Sequence, residues 1–322
     1  MGLRGVLERF SHALVRALVE RALGTGVTGV TGDTLGGSNA VLFLELRGGP
    51  LRPPRLAVRT GDPRRAGGLG AVGRVGVPTL AVLVAATSLR HLDRPYLIMR
   101  WLPGAPAVRA PLVPGGRADG LAQLGQTLAR LHGLALDGFG PLHGGAGACA
   151  GEAASWWGPI RAEGARRLGA AAARWAPDRA ALVHGDFQLK NALVRGAHVT
   201  GILDFENLLA GDPLLDFAPR RYWSRDPART MAALRRGYAR SPLADPDAGR
   251  RLALYKLLLA LEIRWWEERL GRPATRRGAL VRLVQAVTTL DGLADTTADE
   301  RLDKNQSRTH GDWGPRRTGP QV

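Results

Sequence analysis

Cysteine is almost missing: Cys149 is the only one in 322 residues. A lone thiol closes no internal disulfide and builds no cysteine-based zinc site. Lysine is nearly as scarce. Lys190, Lys256 and Lys304 are the only three, so 42 of the 45 basic residues are arginine. No Gly-Lys pair exists, which excludes a Walker-type phosphate loop. Neither an H-E-x-x-H zinc pair nor a G-x-S-x-G nucleophile elbow occurs. Long apolar runs are lacking too. The longest, Leu80 to Ala86, is far short of the ~18–20 residues a membrane span needs. The opening Met1-Gly2-Leu3-Arg4 leads into an amphipathic pattern, not the apolar stretch of a secretory signal, so a soluble, cytoplasmic chain is expected.

What is present is an ordinary globular balance of 45% hydrophobic and 23% charged residues. The material suffices for a core, and the length suits two domains or one large two-lobed one. A net charge of +17 invites a nucleic-acid partner. The arginines, however, are scattered rather than gathered in runs of five or six. They accompany abundant Gly, Ala, Leu and Pro and only four Asn, as GC-rich coding produces. Neither a nucleic acid nor a membrane is therefore expected as partner, and the oligomeric state is not legible.

Val6, Phe10, Leu14 and Leu18 recur at helical spacing, which predicts an amphipathic helix near 4–22. A Gly-rich, β-branched stretch follows to Asn39. Ala40–Leu46 and Arg55–Thr60 read as strands joined across a Gly-Gly-Pro turn, and Tyr96–Trp101 as another, closed by Pro103-Gly104. Residues 61–79, rich in Gly, Arg and Pro, have no clear reading. Beyond 105 the pattern turns helical, with Leu121, Leu124, Leu128 and Leu131 on one face and further helices near 152–175, 228–240, 248–270 and 276–292. Short strands interrupt at Ala181–Val183, Ala192–Val194 and Val199–Leu203. The expected architecture is α+β, with a small sheet lobe over 1–104, a larger helical lobe over 105–295 and a disordered tail over 296–322. The cleft between lobes is the default ligand site.

Gly68-Leu69-Gly70-Ala71-Val72-Gly73 matches the dinucleotide fingerprint G-x-G-x-x-G. With 43 glycines, about 0.8 such matches arise by chance, and Pro63-Arg64-Arg65 stands where a strand should lead in. The match carries no weight. His184-Gly185-Asp186, with Asn191 five residues after the aspartate, has a chance expectation of only about 0.0006 in the whole chain. Asp204 follows in Ile202-Leu203-Asp204-Phe205, then Gly211-Asp212-Pro213 and Asp216. Phosphoryl transfer needs such a set. One carboxylate takes the proton of the attacking hydroxyl, while a separate amide oxygen and carboxylate hold Mg²⁺ on the phosphates.

This pattern resembles the aminoglycoside phosphotransferase and choline kinase family, which has a protein-kinase-like fold. The family's H-G-D-x-x-x-x-N loop stands at His184 to Asn191, and its metal-binding Asp and G-D-P-x-x-D at Asp204 and Gly211 to Asp216. Weaker likenesses place a nucleotide loop at Leu35-Gly36-Gly37-Ser38-Asn39, an inter-lobe hinge at Arg94 to Gly104 including Met99, Arg100, Trp101 and Leu102, and the following helix at Leu128 to His132. The resemblance implies Asp186 as catalytic base and Asn191 and Asp204 as Mg²⁺ ligands. It implies ATP or GTP as phosphoryl donor. Gly36, Gly37, Ser38 and Asn39 either cap phosphates through backbone N–H groups or form a plain hairpin turn. Asp212, Asp216 and His184 are expected to brace the loop, and His132 to be a satisfied core histidine. Lys190 either reaches a phosphate or is solvated. Trp156-Trp157 and Trp265-Trp266 line an acceptor pocket or merely pack helices.

Two departures stand out. The family's third-strand lysine, which pairs with a helix glutamate, is here Arg59, and no Asp or Glu lies between Asp62 and Asp93. The Gly-rich segment 66–76 is also a poor helix former. Arg59 is then expected to hold phosphates unaided, or the nucleotide site is weakened. The resulting reading is a small-molecule kinase. An aminoglycoside-like or other antibiotic is the leading acceptor, in resistance or biosynthesis. Choline, homoserine or a sugar is the runner-up, and a kinase-fold binding protein without catalysis is the contrasting class. Residues 1–104 hold 14 Arg against 6 acidic residues, which suits a polyphosphate; 251–303 are nearly balanced, with 9 basic and 8 acidic. Glu262, Glu267, Glu268 and Asp291 there either attract a cationic acceptor or form ordinary helix salt bridges.

Overall fold

The computed structural model of the chain describes residues 12–33, 41–47, 55–60, 68–87, 95–109, 116–137, 139–142, 177, 179–218 and 227–269. The expected helices near 152–175 and 276–292, the tail, the Gly36–Asn39 loop and Trp156-Trp157 lie outside these residues. The mixture of sheets and helices is α+β.

Strands β1 (Val27–Asp33), β2 (Val41–Leu46), β3 (Arg55–Thr60), β4 (Val82–Ala86) and β5 (Tyr96–Arg100) form an antiparallel sheet in the order β1-β2-β3-β5-β4. Period-2 alternation sorts β3 onto two faces. Leu56 and Val58 join Leu42, Leu44, Tyr96 and Ile98 under Val15, Leu18 and Val19 of helix α1 (His12–Leu23). Ala57 packs on the other face with Leu97 and Met99. Arg59 pairs with Leu97 in register and so shares that second face. The α1 stripe differs from the expected one, since Leu14 is 43% exposed. An unbroken i, i+4 ladder drifts around a helix of 3.6 residues per turn, and the side that seals a sheet is i, i+3, i+4.

β1 forms in the Gly-rich, β-branched stretch and β4 in the apolar run Leu80–Ala86, neither of which the sequence marks as a strand, because partner strands supply what glycine-rich or short apolar segments lack. Helix α2 (Leu69–Arg74) likewise forms within the poor 66–76 segment. Its Ala71 and Val72 are buried, and such packing outweighs helix propensity.

After β6 (Ala105–Pro106) comes helix α3 (Gly116–His132), on which Leu121, Leu124, Leu128 and Leu131 are all buried as expected. β7 (Ala135–Leu136), β8 (Gly140–Pro141), β9 (Ala180–Val183) and β12 (Leu209–Gly211) make one sheet. β10 (Ala192–Arg195) and β11 (His198–Ile202) join β6 in another. Helix α4 (Pro227–Gly237) packs along α3. The approach is close enough that a Cβ on Gly237 would lie 1.7 Å from the Ala122 carbonyl oxygen, and one on Gly125 would lie 2.1 Å from that of Leu234.

Two ties fix β11 against the segment before β4. Ile202 donates its N–H to the Pro78 carbonyl at 2.8 Å, and Thr79 Oγ1 donates to the Ile202 carbonyl at 3.2 Å. They hold the end of β11, from which Asp204 projects, beside the sheet that carries Arg59. All these elements belong to one compact unit, within residues 1–158 and 176–245. Helix α5 (Ala248–Arg269) belongs to a second, comprising 159–175 and 246–322, and Asp247 just ahead of it pairs with Arg250 at 2.6 Å. Among the described residues no helix is long and apolar enough to cross a membrane.

Candidate active site

The loop leaving β9 begins with a fully buried histidine. His184 Nε2 lies 2.9 Å from the Leu203 carbonyl, an acceptor only, so Nε2 carries the proton. Nδ1 then accepts the Asp186 N–H at 3.2 Å. The ring sits against Phe205 and Phe187, with centroids 4.6 and 5.7 Å away. Both nitrogens are spent on backbone, which makes His184 a brace. Gly185 is required for two reasons: its φ is +81°, and a Cβ would lie 2.2 Å from the Asn207 carbonyl oxygen.

Asp216 is the second brace. Its carboxylate accepts the N–H of His184 and of Gly185, each at 2.8 Å, and faces His132 Nε2 at 3.0 Å. His132 Nδ1 in turn lies 2.9 Å from the Tyr238 hydroxyl. Burial works to raise the Asp216 carboxyl, but the His132 hydrogen bond and the charges and N–H donors around it outweigh burial and hold it below the ordinary carboxylate range. Tyr238 moves the other way: burial, then the Asp216 and Asp212 carboxylates, push its hydroxyl far up. Asp212 caps the short 3₁₀ turn 213–217 by accepting the Leu214 N–H at 3.0 Å. His132 is the core histidine the sequence predicts, with both nitrogens engaged.

The loop holds Asp186 in a partly enclosed setting. Gln188 Nε2 donates to one carboxylate oxygen, and Lys190 Nζ lies 4.0 Å from the other. Asn191 Nδ2 donates to the Asp186 carbonyl at 3.0 Å and, more weakly, to its carboxylate at 3.4 Å. Burial raises the Asp186 carboxyl above its ordinary range. Lys190, Gln188 and His184 pull against that rise, and the neighbouring Asp204 adds to it. A carboxylate made more basic in this way is a better proton acceptor. Because the Asn191 NH₂ is turned toward Asp186, its amide oxygen is the atom not used in those bonds. Leu203 N–H donates to the Asn191 backbone carbonyl at 2.7 Å and locks the two loops together.

Asp204 has φ +67° and ψ +53°, a left-handed backbone that non-glycine residues seldom adopt, and it opens the 3₁₀ turn Phe205–Asn207. Such strain concentrates at functional positions. Arg59 Nη2 lies 3.1 Å from Asp204 Oδ1 and 2.5 Å from Glu206 Oε1. This corrects the expectation that Arg59 works without an acidic partner. The partners lie far along the chain, Asp204 being 145 residues away and Glu206 two further on. β3 is an inner strand of its sheet, so Arg59 does not sit on a sheet edge.

Asp186, Asn191, Asp204 and Arg59 are thus brought together. Met99 shares the sheet face of Arg59 and is buried, while Arg100 is exposed and Trp101 and Leu102 are half-buried. Trp101 stacks under the Arg55 guanidinium, 5.3 Å from its ring centre. Glu206 and Gln188 are the residues sequence reasoning missed. Their only signal was position, two residues after Asp204 and two after Asp186. A carboxylate from Asp204 and an amide oxygen from Asn191 are hard donors that suit Mg²⁺, an ion that takes few protein ligands and fills its remaining positions with water and phosphate oxygens. Among the described residues no group of three or more His, Cys, Asp or Glu side chains is arranged to hold a metal.

Residues 66–255 match the phosphotransferase enzyme family known as APH. The chain belongs to this family. No curated protein matches it significantly in sequence. Solved structures similar to this phosphotransferase include a thermostable mutant of aminoglycoside phosphotransferase APH(4)-Ia in ternary complex with ADP and hygromycin B. That structure is 18% identical with a TM-score of 0.61, covering 85% of this chain and 98% of its own. A putative fructosamine-3-kinase from Thermobifida fusca is 19% identical with a TM-score of 0.58, covering 86% and 98%. The macrolide 2'-phosphotransferase MphH from Brachybacterium faecium is 20% identical with a TM-score of 0.50, covering 84% and 97%. At these identities the likeness is one of fold, and the compounds named with the three structures differ in chemistry.

Proposed function

We propose that this phosphotransferase moves the γ-phosphate of ATP or GTP to a hydroxyl of a small molecule. An aminoglycoside-like or other antibiotic is the leading acceptor, and choline, homoserine or a sugar the runner-up. The observation that carries the reading is the half-buried Asp186, hydrogen-bonded to Gln188 and Asn191, made more basic by its surroundings and standing near Asp204. The Arg59 pairing supports an enzyme over a binding protein, since the apparent want of a partner for the strand cation was the reason to doubt catalysis. The resemblance behind the reading implies two lobes, over 1–104 and 105–295, with the donor nucleotide on the sheet side near Gly36–Asn39, Arg59 and Met99–Leu102.

In the proposed reaction Asp186 accepts a hydrogen bond from the acceptor hydroxyl and takes its proton as the oxygen attacks the γ-phosphorus. The bond to the β-phosphate oxygen breaks and the nucleoside diphosphate leaves. Asn191 and Asp204 would hold Mg²⁺, which when bound draws charge from the phosphate oxygens. Gln188 keeps the Asp186 carboxylate in one orientation, and Asp216 keeps the loop backbone in place. Arg59 offers its fork to phosphate oxygens. The decisive experiment is a phosphate-transfer screen with ATP and GTP against antibiotics, amino alcohols and sugars, read by mass spectrometry for an added phosphate. One phosphorylated acceptor class supports the reading; no transfer to any of them with either nucleotide counts against it.

A further inference from the structure

Both carboxylates that Arg59 reaches come from one short stretch, Asp204 beyond β11 and Glu206 in the turn that follows. Helix α2 has no acidic residue to offer. The two contacts are unequal, with Glu206 closer at 2.5 Å than Asp204 at 3.1 Å, and the Glu206 side chain is the less exposed. One nitrogen, Nη2, serves both carboxylates. The Nε of Arg59 is buried and has no hydrogen-bond partner among the described residues. A guanidinium presents five N–H donors in a planar fork, so this one has donors left for an anion with several oxygens. Two carboxylates thus converge on the one nitrogen, Nη2.

We infer that Glu206 is a positioning residue of the donor site, holding Arg59 in place while Asp204 exchanges its share of the arginine for a divalent cation. The inference rests on the donor-site reading above. Arg59 and the cation compete for the same Asp204 carboxylate, and like charges repel at that range. With Asp204 as its sole anion, Arg59 would either block the cation or be released just when the polyphosphate needs it. Glu206 removes the conflict. It grips the same nitrogen from a backbone position two residues on, beyond the left-handed bend at Asp204. Arg59 then gives up one partner and keeps the other. The helix glutamate that the sequence lacks is in this way replaced by a carboxylate on the metal loop itself.

The test uses the full chain, with Mn²⁺ as the probe cation followed by electron paramagnetic resonance and ADP binding followed by calorimetry. In wild type, Mn²⁺ and ADP bind together. Glu206→Gln weakens Mn²⁺ binding in the ADP complex by about tenfold, because Arg59 falls back on Asp204; Glu206→Asp, which keeps the charge on a shorter stem, falls between and serves if the Gln variant does not fold. In an Arg59→Met background the competitor is gone, and adding Glu206→Gln changes Mn²⁺ affinity by less than about twofold. Three results overturn the inference. Unchanged Mn²⁺ binding in both Glu206 variants shows that Glu206 does not hold the arginine. An equal loss on the Arg59→Met background makes Glu206 a direct ligand of the cation. A wild-type chain that binds neither ADP nor Mn²⁺–ADP removes the donor-site reading and this inference with it, whereas normal wild-type binding with unaffected variants removes the inference alone.

Discussion

At the scale of single residues, Asp186 makes opposing demands on catalysis and stability. Asp186→Asn keeps the shape but loses the base, so kcat should fall by ~10²–10⁴ while nucleotide affinity changes little. Near-normal turnover would remove Asp186 from the chemistry. The raised carboxyl also has a thermodynamic consequence. A group whose folded value lies above its unfolded value of about 3.9 contributes stability below that pH and loses it as pH rises through the folded value. Ionised Asp186 therefore strains the fold at pH 7. Asp186→Asn should melt higher than wild type at pH 7, and the difference should close near pH 4. For the same reason the acid limb of kcat/KM should lie above the ordinary carboxylate range. Arg59→Met should cost ~2–4 kcal/mol in kcat/KM for the nucleotide as charge-assisted contacts are lost. Arg59→Lys should recover only part, since an ammonium is a point charge without the fork. Nucleotide affinity unchanged within about twofold in Arg59→Met would take the residue out of the site.

At the scale of elements, the pairing of α3 with α4 depends on two glycines that helix propensity alone counts as defects. Gly125 and Gly237 let each helix backbone approach a carbonyl of the other, with no room for a methyl group. Gly125→Ala and Gly237→Ala should each lower stability by ~1–3 kcal/mol, because the helices must part or tilt. Denaturant melts would show it, and a stable Gly237→Ala variant would mean the helices do not meet so closely. The consequence reaches the active-site loop. His132 ends α3 and reaches Asp216 behind His184 and Gly185, and Tyr238, just after α4, meets the other nitrogen of His132. Loosening the helix pair should therefore also reduce kcat, by less than the loss of Asp186 does.

At the scale of the whole molecule, Asp216 joins helix α3, the active-site loop and the turn after β12 through one fully buried carboxylate. Its folded value is depressed, so the sign is opposite to that of Asp186. The stability it contributes is present above about pH 4, the unfolded carboxyl range, and is lost as pH falls through the lower folded value. Wild type should thus lose stability steeply in acid. Asp216→Asn should be less stable at pH 7 by ~2–4 kcal/mol and show a flatter acid limb, measured by denaturant unfolding across pH. An acid limb as steep as that of wild type would place the acid sensitivity elsewhere.

The sequence by itself determined what depends on near neighbours. The short apolar strand runs of β2, β3 and β5, the leucine face of α3 and the spacing from His184 to Asn191 were all legible, because each is written within a few turns or one strand. The active-site loop was the clearest of these, since its glycine, aspartate and asparagine must stand at set intervals to make their hydrogen bonds. Tertiary structure decided whatever depends on distant partners. Strand β1 and helix α2 form because the sheet and core around them compensate for glycine-rich sequence. Gln188 gains its part from the direction in which the loop folds. Arg59 gains its counter-charge from Asp204 and Glu206, joined to it only when the end of β11 is tied beside the sheet. Electrostatic pairing acts through space, and nothing in the local pattern of β3 records which carboxylate will stand opposite it.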